Sequence, residues 1–150
     1  MIIDTSAIVA ILRGEPSADL HARMIATAGI ARISAATYVE LGIVVDGARD
    51  AVVSGALDSF LDEAGIRVES MTASQARLAR MAHQRFGRGS GHPARLNMGD
   101  CFSYALAREL GEPLLFEGGD FTLTDIEIVT EPIKRKRLSE IIASDGARAP

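Results

Sequence analysis

The chain has 150 residues, 47% of them hydrophobic and 24% charged, which is enough for one domain with a buried core and leaves no need for a second. It opens Met1-Ile2-Ile3-Asp4 with no basic leader and holds no apolar run near the ~20 residues of a membrane span, and its one cysteine, Cys101, excludes an internal disulfide, so a cytoplasmic protein with no membrane role is expected. The net charge of -4 argues against a nucleic-acid binder, yet residues 77 to 98 hold five arginines (Arg77, Arg80, Arg85, Arg88, Arg95) and no acid, which leaves eleven of the sixteen basic residues against all twenty acids elsewhere, a net of -9.

Met1 to Asp4 is predicted as a short buried strand ending on an acid, and Thr5 to Leu12 as a helix stopped at Gly14. A strand that runs into a helix at once opens a βαβ unit and puts Asp4 at the strand's carboxyl end, where open α/β sheets collect their ligands. A helix cap by Asp4 or Thr5 is the plain alternative. Pro16-Ser17 starts a second helix through about Ala28, with Leu20, Met24 and Ile25 as its apolar side and Gly29 as its end. Ile30 to Ser34 is the second strand. Ala35 to Val45 is then a helix with Tyr38, Leu41 and Val45 on one side and Glu40 in its early part. Thr37-x-x-Glu40 also fits a capping box, although Ser34 is the better placed cap.

Asp50 caps a predicted helix, Ala51 to Glu63, whose Val52, Val53, Leu57, Phe60 and Leu61 form a broad apolar stripe. With the preceding helix it makes an antiparallel hairpin that can pack on its own sheet or offer a partner surface. Ile66 to Glu69 is a short strand, and Thr72 or Ser74 starts a helix through about Phe86, apolar at Ala76, Leu78, Ala79, Ala82 and Phe86 with arginines opposite. The basic loop Gly87 to Arg95 follows. Arg88, His92 and Arg95 in it suit phosphate contacts, which need positive donors but no particular base. No second histidine or cysteine stands at ligand spacing from His92.

Met98, Cys101, Phe102, Ala105 and Leu106 recur at helical spacing and predict a helix with those residues packed inward, Cys101 as an inert buried thiol. Asp100 falls in its first turn, where an acid answers the helix dipole or stands at the rim of a site. Gly111-Glu112-Pro113 stops that helix and Leu114 to Phe116 is a very short buried strand. Gly118-Gly119 then lets the backbone turn so that Asp120 faces the same crevice as Asp4. Ile126 to Val129 is a last strand. A domain over 1–133 is expected to give way to a basic, partly flexible tail over 134–150 that begins Lys134-Arg135-Lys136-Arg137.

Asp4, Glu40, Asp100 and Asp120 thus all lie at strand ends or helix starts. Gathered together they repel, and burial would raise their pKa values and destabilise the fold. Hard divalent cations remove that objection, since Mg²⁺ and Mn²⁺ are bound by a few acids, waters and substrate phosphate. An acid-lined cleft beside an arginine-rich flank points to metal-assisted phosphodiester hydrolysis. A DNA nuclease and a non-catalytic partner-binding or regulatory domain on the same scaffold stay open. A phosphatase with a nucleophilic aspartate is disfavoured, because Asp4-Thr5-Ser6 is not followed by a second acid two residues after Asp4.

Four ordered blocks carry a resemblance: Met1 to Ala7; Ile33-Ser34-Ala35-Ala36-Thr37-Tyr38-Val39-Glu40-Leu41; Asn97 to Ala107; and Leu114-Leu115-Phe116-Glu117-Gly118-Gly119-Asp120-Phe121. Together the chain resembles a PIN-domain ribonuclease of the VapC type over residues 1 to about 133. The resemblance implies a three-layer α/β/α fold with a mainly parallel central sheet. It further implies Mg²⁺- or Mn²⁺-dependent cleavage of RNA, a toxin role, neutralisation by a small cognate antitoxin, and homodimers. Residue by residue, it implies that Asp4 and Asp100 are direct metal ligands and that Glu40 completes the metal site or orients the attacking water. Asp120 would contact a second ion or a water in the ion's shell, and Ser6 is similar to a small hydroxyl residue near that shell.

Overall fold

The computed structural model describes residues 1–130, so the Lys134 to Arg137 cluster and the expected tail lie outside the described residues. Four strands, β1 (Ile2–Ile3), β2 (Ala31–Ser34), β3 (Ile66–Glu69) and β4 (Leu114–Leu115), form one sheet in the order β3-β2-β1-β4 with every pairing parallel. Between and after them run α1 (Thr5–Leu12), α2 (Ala18–Thr27), α3 (Ala35–Gly47), α4 (Ala51–Glu63), α5 (Ala73–Phe86) and α6 (Met98–Leu110), and a 3₁₀ turn covers Asp120–Leu123.

Successive side chains of a strand point to opposite faces, and the core divides accordingly. Ile3, Ile33 and Leu115 pack with Ile8, Met24, Ile25, Leu41, Leu57 and Leu61 on one side of the sheet. Ile2 and Leu114 pack with Ala82, Phe86, Leu96, Tyr104 and Leu106 on the other. The sheet therefore lies between a layer of α1 to α4 and a layer of α5 and α6, as the three-layer expectation requires. The chain moves outward from β1 through β2 to β3 and returns to the far side of β1 as β4. That reversal makes the carboxyl ends of β1 and β4 the switch point, where the following loops part and leave a crevice.

Polar bonds fasten the sheet across its strands. Arg32 of β2 donates from Nε to Glu69 at 3.0 Å and from Nη1 to Glu112 at 2.7 Å. The other oxygen of Glu112 accepts from the Met1 ammonium at 2.6 Å. On the opposite layer Tyr104, only 1% exposed, donates its hydroxyl to Asp125 at 2.7 Å, and Arg85 donates to the same carboxylate.

Several expectations need correction. The last strand shrinks to a single parallel bridge, Leu114 to Ile128, with the Leu114 N–H donated to Glu127 and the Val129 N–H donated to Leu114. A two-residue β4 that follows Pro113, which has no N–H, offers too little backbone for a longer ladder. Met98 does not face inward but is 71% exposed, because it is the first residue of α6 and precedes the turn at which that helix reaches the core. On α2 the inward position assigned to Leu20 belongs to His21, at 5% against 39% exposure. On α4, Val52 at the amino end is exposed while Leu57 and Leu61 are buried, and on α5 Gln75 is buried while Ala76 is exposed. Replacing fully buried Leu106 by Ala should destabilise the protein by about 2–5 kcal/mol in urea unfolding, whereas Met98→Ala should stay within about 0.5 kcal/mol.

Candidate active site

Asp4 follows β1 directly and is the N-cap of α1: its Oδ2 accepts from the Ser6 N–H at 2.9 Å and from the Ser6 hydroxyl at 2.6 Å. Its Oδ1 accepts from the Ser103 hydroxyl of α6 at 2.7 Å. Asp4 is 3% exposed and Ser103 is fully buried, so this carboxylate is fixed by three donors. Because Ser103 spends its proton on Asp4, the Thr37 hydroxyl 3.2 Å away must donate to Ser103. The cap and the site are thus the same residue.

Glu40 makes no capping box. Ser34 caps α3, accepting from the Ala36 N–H, and Thr37 is buried against Ser103. Glu40 instead reaches α1, where the Thr5 hydroxyl donates to its Oε2 at 2.9 Å. The rest of its carboxylate lies against the backbone of Gly99, so closely that a Cβ there would collide with it. Gly99 stands in the first turn of α6, whose positive end favours an anion. Burial and the charge of Asp4 both push Glu40 above its ordinary pKa, the Thr5 hydrogen bond opposing them.

Asp100 fulfils its plain reading as well. Asn97 and Asp100 close a capping box on α6: the Asn97 N–H donates to Asp100 Oδ2 at 2.6 Å, and the Asp100 N–H donates to Asn97 Oδ1 at 3.0 Å. Burial nevertheless raises the Asp100 carboxyl to about 6, against the Asn97 hydrogen bond and with added repulsion from Asp4, Asp120 and Glu40. That repulsion is the mark of convergence: the other three candidate acids all lie close enough to act on Asp100, and Asp4 acts on Glu40 as well. Asp120 opens the exposed 3₁₀ turn after β4, beyond Gly118, whose φ of 102° suits glycine alone.

The set of hard oxygen donors fits Mg²⁺ or Mn²⁺. Among the described residues no three acid, histidine or cysteine side chains already close on one point as a cage. Such an all-protein cage is not what Mg²⁺ asks for, since it keeps several waters and takes one or two carboxylates with substrate phosphate. Asp100 also retains an oxygen, Oδ1, that accepts no hydrogen bond among the described residues.

Ser6, the small hydroxyl residue expected near such a shell, bonds Asp4 through both its N–H and its hydroxyl. The loop residues differ in their attachments. His92 turns into its own loop, where Nδ1 accepts from the Ala94 N–H at 3.2 Å and the ring stands edge-on to Phe86. Arg88 and Arg95 are exposed, with Arg88 Nε donating to the Arg95 carbonyl at 3.3 Å. Of the other arginines in the basic stretch, Arg85 is held by Asp125 and stacked on Phe86. Cys101 is buried with its thiol pushed up to about 11, which leaves it inert as expected. The sequence reading missed Thr5, Thr37, Gly99 and Ser103 as site residues; Ser103 stands one helical turn after Asp100, and that spacing was the available signal.

A family model described as the PIN domain matches residues 1–127. Ribonuclease VapC28 of Mycobacterium tuberculosis is 57% identical over 127 residues, 85% of this chain and 96% of that protein. A ribonuclease VapC of Mycolicibacterium smegmatis is 45% identical over 129 residues, 86% and 99% of the two chains. Among solved structures, the fold is similar to that of Mycobacterium tuberculosis VapC20, a sarcin-ricin loop cleaving toxin, with a TM-score of 0.67 at 21% identity over 85% of this chain and 97% of that one. A toxin-antitoxin complex from Klebsiella pneumoniae gives 0.65 at 16% identity over 88% and 98%.

A raised carboxyl pKa means that the folded state holds the Asp100 proton more tightly than the unfolded state. Stability from this group is therefore present below about pH 4 and lost as pH rises through about 6. Asp100→Asn, which keeps an acceptor for Asn97, should stabilise the metal-free protein at pH 7 by about 1–3 kcal/mol and leave it unchanged near pH 4. Thermal unfolding at both pH values checks this.

Proposed function

The chain belongs to the PIN-domain family, and from that premise we propose that it is a metal-dependent endoribonuclease toxin restrained by a small cognate antitoxin. The observation that carries the reading is the approach of Asp4, Glu40 and Asp120 to Asp100 at the switch point of a parallel sheet, with a repulsion on Asp100 that a divalent cation would relieve. Relatives that span nearly their whole length with this chain bear the name ribonuclease VapC, which favours RNA over DNA as the substrate.

Asp4 and Asp100 would hold the ion directly, Glu40 would complete the shell or orient the attacking water, and Asp120 would serve a second ion or a water of the shell. When bound, the cation lowers the pKa of a coordinated water and offsets charge developing on the phosphate. The protein's own part is orientation. Ser6 and Ser103 fix the two oxygens of Asp4, Thr5 fixes one oxygen of Glu40, and the capping box fixes Asp100. Attack by water, with the ribose 2′-hydroxyl unused, would leave 5′-phosphate and 3′-hydroxyl ends. Arg88 and Arg95 at the mouth of α6 would meet the RNA backbone without reading its sequence.

The proposal extends to an antitoxin and a second copy as partners, in the cytoplasm. No described helix is long and apolar enough to cross a membrane. Val39 and Ile43 on α3 and Val52 on α4 are 57%, 67% and 80% exposed, the kind of apolar surface that a partner covers. The similar fold from Klebsiella pneumoniae was solved as a toxin-antitoxin complex.

Purified protein free of antitoxin should cut some members of a mixed set of structured and single-stranded RNAs with Mg²⁺ or Mn²⁺ but not with EDTA, and folded Asp100→Asn should cut none. Cutting of DNA in place of RNA would move the assignment to a DNA nuclease. A folded wild type that neither cuts nor binds metal in calorimetry would leave a non-catalytic binding domain. Arg88→Ala combined with Arg95→Ala should weaken RNA binding and lower the slope of log affinity against log salt by about 1–2, with the fold intact; an unchanged slope would take the loop out of the substrate path.

A further inference from the structure

α2 turns a histidine toward the core on the same face as Met24 and Ile25, one helical turn away, where an apolar side chain would cost nothing to bury. His21 is 5% exposed, and its Nε2 lies 2.7 Å from Glu117 Oε2. The Ser17 hydroxyl at the start of α2 and the His21 ring together hold the Glu117 carboxyl below the ordinary range. An ionised carboxylate only accepts, so Nε2 carries the proton and donates it. Nδ1 is buried with no partner among the described residues. Leaving a ring nitrogen unpaired in the core costs free energy, and no demand of α2 itself explains it.

The other end of the contact does. Glu117 is the second residue after β4, and its backbone N–H donates to the Ser6 hydroxyl at 3.0 Å. With its lone pair thus engaged, the Ser6 hydroxyl points its proton at Asp4 Oδ2, 2.6 Å away. The two glycines after Glu117 leave the backbone that leads to Asp120 little stiffness of its own, so the side-chain contact with α2 adds to the Ser6 bond in holding this end of the loop against the helices.

We propose that His21 is a positioning residue: through the Glu117 carboxylate it anchors the loop after β4, and through the Glu117 N–H and the Ser6 hydroxyl it sets the carboxylate of Asp4 for a divalent cation. This rests on the reading of Asp4 as a metal ligand. Partners outside the ligand shell commonly change metal affinity by 10–100-fold, and a contact one bond further out belongs at the low end.

Calorimetric titration of the intact protein with Mn²⁺ alone tests it, with thermal unfolding of every variant alongside. His21→Ala and Glu117→Ala should each weaken Mn²⁺ binding about tenfold, and the double variant should lose no more than either single one. His21→Gln, which keeps a donor at the reach of Nε2, should bind within about twofold of wild type. In a Ser6→Ala background, His21→Ala should have no further effect. Folded His21→Ala and Glu117→Ala proteins that bind Mn²⁺ like wild type overturn the proposal, because a purely structural role would lower the melting temperature and leave affinity intact. A full His21→Ala effect persisting without the Ser6 hydroxyl overturns the route. If His21→Ala does not fold, Glu117→Ala decides, since that side chain is 41% exposed and leaves no core void. A wild type that binds no Mn²⁺ instead removes the metal-site reading and this inference together, a result distinct from normal binding by the variants.

Discussion

Like charges drawn together around one partly buried carboxyl, Asp100, are the constraint on which this molecule turns. A parallel sheet that reverses its strand order between β1 and β4 opens a crevice at the carboxyl ends of those strands. Asp4 is carried there by β1, Glu40 by the second turn of α3, Asp100 by the start of α6 and Asp120 by the turn after β4. Burial raises Asp100 to about 6, and its neighbours add to the rise. The fold tolerates this arrangement because hydroxyl and amide donors satisfy both oxygens of Asp4 and one each of Glu40 and Asp100: Ser6 and Ser103 on Asp4, Thr5 on Glu40, Asn97 on Asp100.

The same bonds make the helices. Asp4 is the N-cap of α1 and Asp100 closes the capping box of α6, so two acids bearing site charges also satisfy backbone donors that would otherwise be orphaned. Choosing between a capping role and a site role, as a sequence reading invites, sets up a false alternative at these positions. A helix start supplies rigidity and a favourable dipole together. Where the alternative was genuine, at Glu40, the structure discards the cap: Ser34 takes it, and the glutamate is free to cross to Thr5 and Gly99.

What was legible follows from the range of the interactions involved. Strand and helix identities depend on local periodicity, so the four sheet strands and six helices are recognisable within a residue or two of their observed ends. The exceptions have tertiary causes. Ile128 finds only two residues of β4 to pair with, and Met98 and Leu20 sit at helix starts whose inward face is set by packing that periodicity does not encode. The acids were readable because each stands at a predicted junction of elements. The hydroxyls that orient them were not, since Ser103 and Asp4 are 99 residues apart and a serine inside a helix carries no local sign of its partner. His21 was invisible for the same reason, its partner lying 96 residues away.

Gly99 shows how little slack the assembly has. Its missing side chain lets the Glu40 carboxylate rest on the first turn of α6, next to Asp100. Any Cβ would drive α3 and α6 apart at that point or swing Glu40 off Thr5. Swinging the end of the Glu40 side chain aside would cost its Thr5 hydrogen bond, and moving the helices would cost more. Thr37 on α3 is itself bonded to Ser103 on α6, and Ser103 to Asp4, so shifting one helix start disturbs the carboxylate of another. Close-packed layers transmit such strain. A glycine between an exposed methionine and a capping aspartate, unremarkable as sequence, is therefore what lets the Glu40 carboxylate reach the first turn of α6 beside Asp100.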